Sequence, residues 1–308
     1  MKIMRKTSIA LVVALATPAL AQTVSYNAPT WDRWNYPFNG AVGTRDVANT
    51  FGSGFVPGLF DDRDAQFLNT FITAGDITPG LGASSYVITS ARFTVTLDPR
   101  FANIIAYDPT YDAFGTYREP FEPGFTPDLD AGRPVELYAT GFRNGLNAFA
   151  YGDDMAFAFA DPTLEGVRNA YAAQPDANGD LFDVSNNIRD GFDTSPLAIG
   201  LVDGLNPGEL VGGNATFVFD INVADAGVQA WLASSLDFGA IALTVSSLHP
   251  ATEPGGGGGV TYPGFMTNES FFPDAQAATL EITYEIVPSP ATLALFGGLA
   301  GIITRRRR

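Results

Sequence analysis

The chain has 308 residues, of which 46% are hydrophobic, so it can bury a sizeable core as one large β-domain or two ordinary ones and is not disordered by composition. It has no cysteine, which excludes disulfides, zinc–thiolate and iron–sulfur sites and cysteine nucleophiles; its single histidine, His249, excludes a multi-histidine metal site within one chain. Three basic residues stand at the extreme N-terminus and four at the C-terminus, leaving ten arginines and no lysine against 33 acids, a net charge of −23 that repels nucleic-acid phosphates and anionic lipid and leaves no nucleic-acid partner expected.

In chain order, the first element is a processing signal. Lys2, Arg5 and Lys6 precede an apolar run from Ile9 to Ala16, and Ala19-Leu20-Ala21 then offers small residues two apart. These are the parts of a secretory signal peptide over residues 1–21, cut by signal peptidase so that Gln22 begins the mature chain. Next, Trp31, Trp34 and Tyr36 cluster with Asp32 and Arg33. Flat rings beside donors and acceptors suit a sugar, which stacks on the ring faces; the same rings also suit core packing, and both readings stand at this point. Asp61, Asp62, Arg63 and Asp64 are expected as an exposed loop or a structural Arg–Asp pair.

The body from 22 to 286 is expected to be one all-β domain, an antiparallel, jelly-roll-like sandwich with one or two short helices. Ala91, Phe93, Val95 and Leu97 alternate with Arg92, Thr94 and Thr96, the period of two of a half-buried strand. Similar strands are predicted at 135–139, 155–160, 215–220, 241–245 and 280–286, separated by Gly, Pro and Asp turns. Asp161-Pro162 starts a predicted helix with Leu164, Val167 and Tyr171 on one face. Asp225 caps a second, with Val228, Trp231, Leu232 and Leu236 inward and Gly239 as the stop.

Asp176, Asn178, Asp180 and Asp183 place oxygen donors near alternate positions, a pattern that either holds a structural Ca2+ or forms a solvated turn. No other cofactor is expected. A Ser–His–Asp triad would need His249, which ends a strand at Leu248-His249-Pro250 without a nucleophile-elbow motif; it is expected to hydrogen-bond locally. Gly255 to Gly259 is a glycine loop without the lysine and helix of a phosphate site. Paired carboxylates suffice for glycoside hydrolysis, but 33 acids single out no pair, and no catalytic residue is assigned.

The C-terminus is a second processing signal. Val287, Pro288, Ser289 and Pro290 precede fourteen uncharged residues from Ala291 to Thr304, then Arg305, Arg306, Arg307 and Arg308. As a helix of about 1.5 Å rise per residue the apolar run spans about 21 Å, short of the roughly 30 Å hydrocarbon core, and the arginines hold its end on the cytoplasmic side. This order resembles the PEP-CTERM sorting signal of Gram-negative bacteria, with Ser289 where that family usually has Glu. The resemblance implies export, transient anchoring in the inner membrane, cleavage by an exosortase-type enzyme, and release to the cell surface or exopolysaccharide matrix.

The body also resembles DNRLRE-type domains, jelly-roll sandwiches similar to carbohydrate-binding modules. Three stretches carry the likeness: Arg63 to Leu97, Phe219 to Leu243, and Met266 to Tyr284. Residues 98–214 read as a long insertion, and Asn268 stands where the pattern has a basic residue before Glu269. Together the two resemblances imply an exported, non-enzymatic surface or matrix protein associated with extracellular polysaccharide. A purely structural matrix component and a polysaccharide-acting enzyme are the alternatives.

Overall fold

The computed structural model describes residues 20–36, 39, 43–53, 62–152, 168–251 and 260–287. Residues 1–19 of the expected signal peptide, Ala19 among them, the strand expected at 155–160, the glycine loop at 255–259, and the tail from Pro288, Ser289 and Pro290 to Arg305–Arg308 lie outside them. Among the described residues no helix is long and apolar enough to cross a membrane.

Fourteen strands are described: β1 Gln22–Tyr26, β2 Trp31–Asn35, β3 Val47–Asn49, β4 Phe51–Ser53, β5 Asp62–Ile72, β6 Tyr86–Thr96, β7 Val135–Phe142, β8 Ala170–Pro175, β9 Leu181–Asp183, β10 Ala198–Ile199, β11 Thr216–Asp220, β12 Ala240–Ser247, β13 Gly264–Met266 and β14 Thr279–Ile286. There are two α-helices, α1 Asn187–Asp190 and α2 Ala226–Phe238. The chain is thus all-β, and every strand pairing is antiparallel.

The smaller sheet runs β1-β14-β6-β11, and the larger runs β2-β5-β12-β7-β8-β9. Set aside the short strands, and β1-β14-β6-β11 faces β5-β12-β7-β8. The first strand pairs with the last, and the chain crosses repeatedly between sheets, as in a jelly roll wound from two Greek keys. The segment 98–214 supplies β7 and β8, and β7 lies between β12 and β8, inside the larger sheet.

Alternation decides what fills the sandwich. Ala91, Phe93 and Val95 of β6 and Leu280, Ile282 and Tyr284 of β14 point inward and meet Phe71, Leu137, Ile241 and Leu243 of the larger sheet. Phe71 stands edge-on to Phe93 at 6.2 Å across that gap. Ile88 is also inward although it is out of phase with Ala91. A register shift opposite Thr283/Tyr284 absorbs the extra residue, a β-bulge that the simple period of two does not reveal.

The helix predicted from Asp225 forms as expected. The Asp225 carboxylate accepts the amides of Gly227 and Val228 at 2.9 and 3.0 Å. Gly239, in the left-handed region at φ 91°, returns its N–H to Leu236 and Ser235. Trp231, Leu232 and Leu236 enter the main core, and Gln229 clamps the backbone of Ile88 through both ends of its amide. The other predicted helix lies outside the described residues from Asp161 to Val167; Tyr171, expected on its face, lies in β8 and pairs with Gly141.

Candidate functional site

Strand β2 separates the aromatic residues that the sequence groups together. Trp34 pairs with Phe67 and faces the core, whereas Trp31 pairs with Thr70 and faces the opposite way. Trp34 stacks on Tyr36 at 4.9 Å and meets Phe51 edge-on. Trp31 donates its indole N–H to the Ala148 carbonyl at 3.0 Å and packs against Tyr151. The three rings are only 8%, 7% and 2% exposed. A sugar platform needs an open ring face, so Trp31, Trp34 and Tyr36 are packing residues and not the expected glycan site.

The oxygen-rich stretch at Asp176 resolves as a hairpin turn between β8 and β9. The Asp176 carboxylate accepts the backbone amides of Asn178 and Asp180 at 2.8 and 3.0 Å, and these bonds lower its pKa. Asp183 is turned to Arg143 and the Ser185 amide. The Asp176 carboxylate is therefore spent on the turn and that of Asp183 on the sheet edge. Among the described residues Asp176, Asp180 and Asp183 do not converge as a carboxylate set, and the bonds made at Asp176 are those of a turn. The turn does wall a polar cleft of about 440 Å³ together with Gln174, Ser195, Asn222 and Asp225 at the start of α2.

The outer face of the larger sheet is polar yet buried. Arg63 is paired with Glu136 and also contacts Ser246 and Asn187, at 3.3 and 3.2 Å. Tyr138 donates to Glu136 and shares a 2.7 Å contact with Thr194. Arg168 holds Asp64 at 2.9 Å. The acidic cluster of the sequence thus supplies two buried ion-pair members, Arg63 and Asp64, each to a partner far along the chain. Burial pushes the hydroxyls of Tyr117 and Tyr138 well above their ordinary pKa.

His249 also differs from expectation. It follows β12 and is buried, but neither ring nitrogen has a hydrogen-bond partner among the described residues; only its backbone carbonyl is engaged, by the Gly52 amide. Burial first, and the charge of Arg133 second, lower its pKa to about 3, so the ring is neutral.

An exposed aromatic pair lies elsewhere, between β13 and β14. Phe271 and Phe272 stack at 4.9 Å with their planes 24° apart, and Phe271 is 72% exposed. The Arg100 guanidinium sits 5.7 and 5.2 Å from the two ring centres and is held by Asp98 and Asp46 at 2.7 and 2.8 Å. Open rings beside a fixed cation and carboxylates are what the expected N-terminal cluster lacked. A signal was present: Ser270-Phe271-Phe272-Pro273 sets two large apolar residues in a loop that belongs to no strand pattern. Nearby, Asn268 donates its backbone and side-chain N–H groups to Asp32 and to the Pro29 carbonyl, tying this loop to β2.

No family model, no curated protein and no solved structure matches this chain.

Proposed function

We propose that this is an exported, non-enzymatic protein of the cell surface or extracellular matrix. It is retained at the inner membrane by its C-terminal segment until an exosortase-type enzyme removes that segment, and it then associates with extracellular polysaccharide. The observation that carries this reading is the pairing of β1 with β14. Gln22, the expected first mature residue, lies opposite Tyr284 and accepts its hydroxyl at 2.9 Å. The signal-peptide junction and the start of the tail at Val287 therefore leave the same end of one sheet. A domain whose two membrane-directed segments emerge side by side can be tethered at that end and folded at the other, and cutting either segment leaves the β1–β14 ladder whole.

Polysaccharide is met, in this reading, at Phe271, Phe272 and Arg100, since stacking needs an exposed ring face, which Phe271 offers and Trp31, Trp34 and Tyr36 do not. His249, buried without a hydroxyl or carboxylate partner among the described residues, does not form a Ser–His–Asp triad.

Intact-mass analysis of surface-recovered protein tests the processing: the mature chain should begin at Gln22 and lack Arg305 to Arg308. A tail still attached would replace sorting with permanent anchoring. A pull-down with the producer's own polysaccharide tests the surface: Phe271→Ala should weaken capture about tenfold with an unchanged melting temperature. Wild-type protein that captures no polysaccharide would leave the purely structural role.

A further inference from the structure

The connection between β6 and β7 folds back on itself so that residues 106–108 lie against 130–132. Gly132 makes this approach possible: at φ 104°, with an added Cβ only 2.7 Å from the Ala106 carbonyl oxygen and 3.1 Å from Asp108 Cβ, no larger residue fits. The fold brings one ligand oxygen each from Asp108, Asp112 and Asp130 to within 4.8 Å of one another. Asp128 joins them, its Oδ1 accepting the backbone amide of Asp130 at 3.3 Å.

Positive charge and donors are short at this point. Arg133 reaches Asp112 at 2.7 Å and Asp128 at 2.6 Å, but among the described residues no arginine forms an ion pair with Asp108 or Asp130. The Thr110 hydroxyl lies 2.6 Å from Asp108 Oδ1 and 2.8 Å from Asp130 Oδ2, and its one proton serves only one of them. The independent observation is Asp108 Oδ2. Asp108 is 3% exposed, its Oδ1 accepts from Thr110, and Oδ2 is buried with no hydrogen-bond partner among the described residues. A buried carboxylate oxygen left without a donor is costly, and here it stands in a group of four carboxyls with one arginine.

We infer that Asp108, Asp112 and Asp130, with Asp128 beside them, form a Ca2+ site that ties the β6–β7 connection to the chain entering β7. The donors are all hard oxygens, as Ca2+ requires, and the three lie within 4.8 Å of one another, close enough that small side-chain shifts bring them to Ca–O distances of about 2.4 Å from one ion. Asp130 is exposed and opens the site to solvent, where water completes the shell. Mg2+, which demands a tighter octahedron of about 2.1 Å, suits this set less well. The residues differ from the Asp176 turn, where backbone amides already satisfy the carboxylate.

Calorimetric titration of the chelator-stripped full chain with CaCl2 and with MgCl2 tests the site, together with thermal melts. One Ca2+ per chain with Kd of about 0.1–1 mM is expected, as for extracellular modules, and a Tm rise of about 3 °C at tenfold excess over Kd. Asp108→Asn should weaken Ca2+ at least tenfold; the exposed Asp130→Asn, which keeps the buried packing, should do the same and stands in if the first variant does not fold. Asp176→Asn should bind as wild type does. The inference is overturned by a wild-type chain with neither heat nor Tm shift up to about 10 mM Ca2+, by Asp130→Asn binding unchanged, or by Mg2+ binding as tightly as Ca2+.

Discussion

Residues 136 and 137 are neighbours on β7, and both are fully buried, but they belong to different interiors. Leu137 faces the sandwich core among Phe67, Leu243 and Val245. Glu136 faces outward into Arg63, Tyr138, Thr194 and Ser246, beneath the segments around 111–117 and 185–194. The inner face is held by area and shape, which tolerate volume-conserving exchange. The outer face is held by donor–acceptor matching, where each group depends on a named partner. Equal burial on the two faces of one strand thus conceals two kinds of stability, one graded and one conditional on pairing.

The largest effect should come from breaking the pairing. Glu136→Leu leaves Arg63 charged and unpaired in the interior and should cost about 3–5 kcal/mol by urea unfolding, whereas adding Arg63→Met should recover most of that loss. Leu137→Ala should cost about 2–5 kcal/mol, and no substitution at Arg63 should restore it. A Glu136→Leu cost below about 1 kcal/mol would mean that water reaches the outer face and that the contrast is false.

His249 sharpens the comparison through pH. Its pKa is about 3 in the folded chain, below the ordinary 6.5, so the unfolded state binds the extra proton between these values. The stability it confers is whole above pH 6.5 and is lost as pH falls toward 3, at about 1.4 kcal/mol per pH unit at most. His249→Leu should flatten this part of the stability–pH curve; an unchanged slope would show that the ring is hydrated.

Smaller effects belong to the surface. Asp225→Ala removes the cap of α2 and should cost about 1 kcal/mol, seen as a fall in the urea midpoint with the slope unchanged. Arg92 and Asp220 pair across β6 and β11 with side chains 54% and 56% exposed, so Arg92→Ala should cost less than about 1 kcal/mol and lose even that in high salt.

What could be read in the sequence was whatever depends on residues close along the chain. The strands at 91–97 and 280–286, the helix from Asp225 to Gly239 and the inward turn of Trp231 all follow from periodicity and capping, which are short-range. The alternation in Ile241-Ala-Leu-Thr-Val245 was equally plain, but its meaning was not. A period of two tells which residues share a face and nothing about what covers that face, and here Ser246 and Thr244 are as buried as Leu243. Trp31 and Trp34 look like one cluster in a row of letters, although three steps along a strand place them on opposite faces.

The sequence by itself determined an all-β chain with a capped helix and an acidic body, because composition, hydrophobic period and cap chemistry are local properties. Only the tertiary structure decided that Glu136 meets Arg63, that Asp108 and Asp130 converge, that the His249 ring is buried without a hydrogen-bond partner among the described residues, and that Phe271 has an open ring face while Trp34 does not. Each of those outcomes depends on which distant segment closes over a strand face. That is set by the pairing order of the whole sandwich, whose contacts join residues up to about the full length of the body apart, as Gln22 and Tyr284 show.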